Sequence, residues 1–159
     1  MTPIESLIFL AALLFVKHFA ADGPLQTGYQ VAHKGRFLHP AGLAHAGLHA
    51  ALTAACLGVW AALVDRDAVF GGWTQMDVAL VLSLIIFGEF VVHYLTDYAK
   101  CAVDARYRWS SAEAGPDGQT RLIIENTKAY FTAFLLDQLA HALTYVAITL
   151  IVLEVFVIS

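Results

Sequence analysis

The chain has 159 residues, of which 59% are apolar and 14% are charged, and its mean hydropathy is +0.67. This apolar share exceeds that of an ordinary soluble domain and indicates an integral membrane protein of one compact domain. The net charge of −4 assigns no partner by itself. No segment is typical of a nucleic-acid site, so we expect no nucleic-acid partner.

Four apolar runs are long enough to cross a bilayer core, which requires about 20 helical residues. They cover approximately residues 4–21, 41–64, 76–98 and 130–158. The first run has no basic start and no clear cleavage site, so we interpret it as a retained helix and not as a signal peptide. The sequence therefore predicts an all-α integral membrane protein, with residues 1–159 forming one up-down bundle of four transmembrane helices.

The distribution of basic residues predicts the orientation of this bundle. Basic side chains cluster in the loops after the first and third runs, approximately residues 23–40 and 99–129, whereas the second loop has one arginine between two aspartates. By the positive-inside rule, the first and third loops are cytoplasmic and both termini lie on the other side. The polar segment SSAEAGPDGQT predicts a turn in the third loop. We expect a multi-pass protein of the bacterial inner (cytoplasmic) membrane.

Each predicted helix carries polar residues four positions apart, which places them on one face of the helix. The ends and beginnings of these helices read KHFAAD, HAGLHA, HYLTD and DQLAH. With about 1.5 Å of rise per residue, one member of each pair lies roughly 6–10 Å inside the cytoplasmic boundary. We therefore expect an up-down bundle to bring the pairs into one layer. Their members are His18, Asp22, His45, His49, His93, Asp97, Asp137 and His141.

A charged side chain inside a membrane is costly, so these groups are expected to face one another around a cation. Imidazoles and carboxylates are ligands of divalent metals, and four-helix di-iron and di-manganese proteins use a comparable inward arrangement. All eight residues are candidate metal ligands, with zinc favoured and iron or manganese as alternatives. Glu89, one turn before His93, is a further candidate ligand or general base.

Two other functions remain open at this point. Ionisable residues in membranes also form proton or ion pathways, so the layer is alternatively a relay or part of a transporter. A third hypothesis is a non-catalytic subunit of a larger membrane complex, either purely structural or holding haem through paired histidines, although haem leaves the aspartates unexplained. His33 and His39 lie in the first loop and are expected to be exposed.

The blocks HFAADGPLQT, HAGLHA, HYLTDYAK and FLLDQLAH resemble those of a bacterial membrane family known only as domain of unknown function 3307. The resemblance spans nearly the whole chain and implies a small inner-membrane helical protein. The family's polar blocks map onto the eight candidate ligands together with Gln26, Lys100 and Gln138. Gly23 stands where the family usually has an aromatic or aliphatic residue. A weaker similarity links the chain to bacterial membrane-bound proteins described as metal-dependent hydrolases, by analogy.

The favoured hypothesis is a metal-dependent hydrolase with a mononuclear or dinuclear His/Asp site at the cytoplasmic membrane interface. Glu89 and Asp97 are the candidate proton acceptors for a metal-bound water. Gln26 and Gln138 are expected to hydrogen-bond the ligands from outside. The expected partners are membrane lipid and a lipid or phosphate-bearing substrate. Assembly as a homo-oligomer, or with a partner in a membrane complex, is left open by the sequence. The candidate anion-binding residues are Lys34, Arg36 and Lys100.

Overall fold

A computed structural model of the chain describes residues 1–114 and 120–158 and is mostly helical. Four of its helices are long and apolar enough to cross a membrane, namely α1, α3, α5 and α6. The elements in chain order are α1 (Pro3–Asp22), α2 (Gly28–His33), α3 (Pro40–Leu63), α4 (Arg66–Phe70), α5 (Gln75–Tyr107), β1 (Ser110–Ala114), β2 (Thr120–Ile124), α6 (Thr127–Leu153) and a π-helical turn (Glu154–Ile158).

The long helices begin at residues that satisfy their first free backbone amides. The Thr2 side chain accepts a hydrogen bond from the Glu5 amide, and the Glu5 side chain accepts one from the Thr2 amide. Thr74 and Asp77 form the same reciprocal cap at the start of α5. The α3 helix has Pro40 in its first turn, where a missing amide hydrogen costs no helical bond. These caps fix the helix starts locally, from the sequence itself.

The long helices form a ring in which α1 packs against α3 and α6, and α5 packs against the same two helices. Their outward faces carry large apolar side chains, such as Leu84, Phe87, Leu135 and Leu143, which are exposed. One end of the interior is an apolar core. This core includes Leu10, Leu14, Leu57, Trp60, Ile148, Val152 and Phe156.

The third loop departs from the all-α prediction. The α5 helix continues to Tyr107, because the segment after the apolar run, AKCAVDARY, is rich in good helix formers. The strands β1 and β2 then pair antiparallel, with Ala112 opposite Leu122. The predicted turn falls mainly on residues 115–119, which lie outside the described residues.

The first loop lies closely against the bundle end that carries the polar pairs. The Leu38 amide donates a hydrogen bond of 2.6 Å to the Tyr94 hydroxyl. A Cβ atom added at Gly35 would lie 2.6 Å from the Cys101 Cβ, so this close approach requires glycine. The loop therefore holds its residues, Lys34 among them, directly over the interior.

Candidate metal centre

Five histidines from all four long helices converge in the interior, opposite the apolar core. They come from the second half of α1, the first half of α3, the second half of α5 and the middle of α6. The His49 and His93 rings stack with centroids 3.7 Å apart, and the His93 and His141 rings stack at 4.2 Å. The predicted convergence of the polar pairs is therefore present. The five residues are His18, His45, His49, His93 and His141, all buried.

A first group of possible ligands consists of Asp22, His45, His49 and His93, whose ligand atoms all lie within 4.8 Å of one another. Asp22 Oδ1 lies 3.0 Å from His45 Nε2 and 3.1 Å from His49 Nε2. In a tetrahedral site with bonds of about 2.1 Å, neighbouring ligand atoms are about 3.4 Å apart. The group is close to that spacing before any cation is added.

A second group consists of His93, Asp97 and His141. His141 Nε2 lies 3.7 Å from Asp97 Oδ1, and His93 Nε2 lies 3.7 Å from Asp97 Oδ2. His45 Nε2 is 3.3 Å from Asp97 Oδ2, so the two groups touch. Three protein ligands leave a coordination position open, which is typical of catalytic zinc sites.

His93 is the residue common to both groups. It is 1% exposed, and within residues 1–114 and 120–158 neither of its ring nitrogens has a hydrogen-bond partner. His141 Nε2 and Asp137 Oδ1 also lack hydrogen-bond partners there. A buried polar atom without a partner costs about 1–3 kcal/mol. The donor set therefore fits a divalent metal, which accepts lone pairs that hydrogen bonds leave unused.

Six of the eight predicted ligands fall in the two groups, whereas His18 and Asp137 lie beside them. His18 Nε2 is 3.1 Å from Gln138 Oε1, and the Tyr145 hydroxyl is 3.0 Å from His18 Nδ1. Both nitrogens of His18 are thus hydrogen-bonded. Asp137 Oδ1 lies 3.5 Å from His141 Nε2.

The two glutamines predicted to support the ligands lie against the cluster. Gln138 contacts His18 as described, and Gln26 Nε2 is 3.1 Å from His45 Nε2. Both contacts place a side-chain amide against an imidazole of the cluster.

Lys17 is the residue that sequence reasoning missed. Its ammonium group forms a buried ion pair with Glu89 Oε1, donates to the His49 carbonyl at 3.3 Å, and lies 4.6 Å from the centre of the Tyr145 ring. A lysine inside an apolar run predicts such an ion pair, because its charge requires a partner within the membrane. Tyr145 also follows Asp137 and His141 at the same four-residue interval, which predicts that it lies on the same face.

The three predicted anion-binding residues have different surroundings. Lys34 Nζ lies 3.0 Å from Asp97 Oδ2. Burial alone would lower the pKa of Lys34, but the carboxylates of Asp97 and Asp22 outweigh that effect and raise it. Arg36 is exposed, and Lys100 lies 5.6 Å from the centre of the Tyr130 ring, on the outer side of α5.

The two histidines of the first loop stay apart from the cluster, as expected, although they are partly buried. His33 and His39 stack on each other with centroids 5.2 Å apart. The His39 side chain also accepts a hydrogen bond from the Ala41 amide at the start of α3. His33 is consequently a natural control for substitutions within the cluster.

Comparison with known proteins identifies a family whose description states no activity. The model of a family described as protein of unknown function (DUF3307) matches residues 9–158. No curated protein and no solved structure matches the chain. The weaker similarity to metal-dependent hydrolases is thus not among the findings.

Proposed function

The chain belongs to the family DUF3307, and we propose that it is a metal-dependent hydrolase of the bacterial inner membrane. Its four long apolar helices support insertion as a multi-pass protein. The basic residues of the first and third loops support a cytoplasmic position for the metal centre and an external position for both termini. On this orientation the centre lies near the cytoplasmic interface of the membrane.

The observation that carries the proposal is the lack of hydrogen-bond partners, among the described residues, at the buried His93 ring. Hydrogen bonding alone explains a buried imidazole only where its nitrogens have partners. His93 has none within the described residues, yet it stands between two carboxylates and three further imidazoles, and it belongs to both ligand groups. A network of packed and hydrogen-bonded side chains would leave the ring nitrogens of His93 without partners. A mononuclear or dinuclear metal site would use a ring nitrogen as a ligand.

The three-residue group favours hydrolysis over a closed structural site. When bound, a divalent cation with an open position supplies a water of lowered pKa. Glu89 accepts a hydrogen bond from Lys17, and Asp97 belongs to the ligand group. Asp137 Oδ1 has no hydrogen-bond partner among the described residues and lies 3.5 Å from His141 Nε2. Asp137 is therefore the carboxylate best placed to take a proton beside His141.

Imidazole nitrogens and carboxylate oxygens favour zinc, and iron or manganese is the alternative that metal analysis distinguishes. Haem fits less well. The rings of His49, His93 and His141 stack directly on one another, so a porphyrin would have to separate them.

A proton relay is the alternative that the ion pair of Lys17 and Glu89 favours, because the pair extends the polar cluster toward the apolar core. A relay across the membrane requires the path to continue. Beyond the pair, however, lies the core around Leu14, Leu57 and Ile148. We therefore prefer the hydrolase.

The first test is the metal content of protein purified in detergent without added metal, measured by elemental mass spectrometry. We expect close to one or two equivalents of zinc, iron or manganese per chain. His93→Gln and His141→Gln should lose the metal, and the control His33→Gln should retain it. Circular dichroism spectra that match the parent's establish that each variant is folded.

Wild-type protein that takes up no metal, even after incubation with each ion at neutral pH, would refute the metal centre. The hydrolytic part is tested with p-nitrophenyl phosphate in mixed micelles. Turnover should stop on chelation and return with the metal, and turnover that survives chelation would contradict the mechanism.

A further inference from the structure

A groove of about 470 Å³ runs between α5 and α6 on the outer side of the bundle. Three alanines, Ala99, Ala133 and Ala140, contribute to it, and small side chains leave space between two packed helices. Larger apolar side chains, including Leu95 and Leu136, flank this space and are exposed. On helices that cross a membrane, the groove faces the hydrocarbon chains of lipid.

The groove reaches the candidate metal centre through Asp137. This residue lines the groove, is 7% exposed and has its Oδ1 3.5 Å from His141 Nε2. A headgroup in the groove would therefore have only this side chain between itself and the ligand group. Asp137 is therefore the side chain that separates the groove from the centre.

Lys100 gives the groove a positive charge. It lies on α5 about one and a half turns after Leu95, toward the hairpin, and lines the same groove. An ammonium group beside an apolar channel complements a molecule with a phosphate at one end and a hydrocarbon chain behind it. A neutral lipid would fill the channel but, among the described residues, would leave this charge with only the Tyr130 ring, 5.6 Å away.

We infer that the groove between α5 and α6 binds a phosphate-bearing lipid and presents its headgroup to the His/Asp cluster. This inference rests on the proposed hydrolase and names its substrate class. The lipid enters sideways from the membrane, its chain lies along the alanines, and Lys100 holds the phosphate.

Native mass spectrometry of the detergent-solubilised protein tests the inference by counting lipid adducts. With equal dioleoyl phosphatidic acid and dioleoylglycerol, which has the same chains but no phosphate, we expect a preference for phosphatidic acid. Lys100→Gln should weaken its binding about tenfold, the loss of one charge-assisted hydrogen bond. Lys128→Gln, a change at an exposed lysine, should leave binding unchanged.

A second pair of variants tests the channel itself. Ala99→Leu fills the groove and should remove the adduct, whereas Ala105→Leu changes an exposed alanine outside the groove and should not. Equal binding of both lipids, or unchanged binding in Lys100→Gln and Ala99→Leu, would overturn the inference. Displacement of phosphatidic acid by an equimolar amount of inorganic phosphate would also overturn it, because the chain would then contribute nothing.

Metal content measured on the same samples separates this inference from the proposed function. Lys100→Gln and Ala99→Leu should keep the wild-type amount of metal while they lose lipid. If the protein binds metal but shows no lipid preference, only the inferred lipid site in the groove is refuted. If it shows the lipid preference but binds no metal, the proposed hydrolase is refuted while the groove remains a lipid site.

Discussion

Variants of the ion pair between Lys17 and Glu89 test whether the interior of the bundle is closed to solvent. Their side chains are 4% and 1% exposed, so neither charge reaches solvent when its partner is removed. Removing one partner of a buried pair costs about 3–5 kcal/mol, because the remaining charge is left uncompensated. Lys17→Met and Glu89→Gln change the charge while nearly preserving side-chain volume.

We expect Lys17→Met to be the more costly change, in the upper part of that range. It also removes the hydrogen bond from Nζ to the His49 carbonyl, which contributes about 1 kcal/mol. Glu89→Gln keeps an oxygen that accepts from Lys17 and should lie near 3 kcal/mol. The double variant carries no unpaired charge, so it should be more stable than the sum of the single changes predicts, by about 2–3 kcal/mol.

The free energy of unfolding is measured by titrating the detergent-solubilised protein with a denaturing detergent and following helicity. Lys128→Met removes an exposed lysine and should change stability by less than about 0.5 kcal/mol. Strict additivity of the two single variants would refute the reasoning, because it would mean that the two charges do not interact. Single variants as stable as Lys128→Met would show that both side chains are solvated.

Two further predictions concern the surroundings of the cluster. Gly35→Ala should lower the melting temperature, because its Cβ would lie 2.6 Å from the Cys101 Cβ. The control Gly47→Ala, with nothing within 4 Å of its Cβ, should raise stability by about 0.5–1 kcal/mol. Equal melting temperatures of the two variants would contradict the close packing of the loop. Tyr145→Phe removes the hydroxyl 3.0 Å from His18 Nδ1 and should lower the free energy of unfolding by about 1 kcal/mol, measured by titration with denaturing detergent. The variant should retain its metal. Loss of metal would place His18 among the ligands.

The sequence alone determined the four long helices and the face of each helix that is polar. Hydrophobic run length predicts a spanning helix, and a four-residue interval places two side chains on one face, since both depend only on local geometry. The extra turns of α5 and the hairpin were missed because hydropathy ends with the apolar run at Tyr98, whereas helix propensity and strand pairing continue the structure beyond it.

Tertiary structure decided which residues of the cluster fall in the two groups of possible ligands and which lie beside them. His18 and His93 have the same apparent role in sequence, yet packing against α6 gives His18 two hydrogen bonds, whereas His93 has none in the described part of the chain. The pairing of Lys17 with Glu89 joins residues 72 positions apart. Contacts of this kind depend on the order of helices around the bundle, which no local pattern specifies, because each polar face can meet either neighbour until the side chains pack.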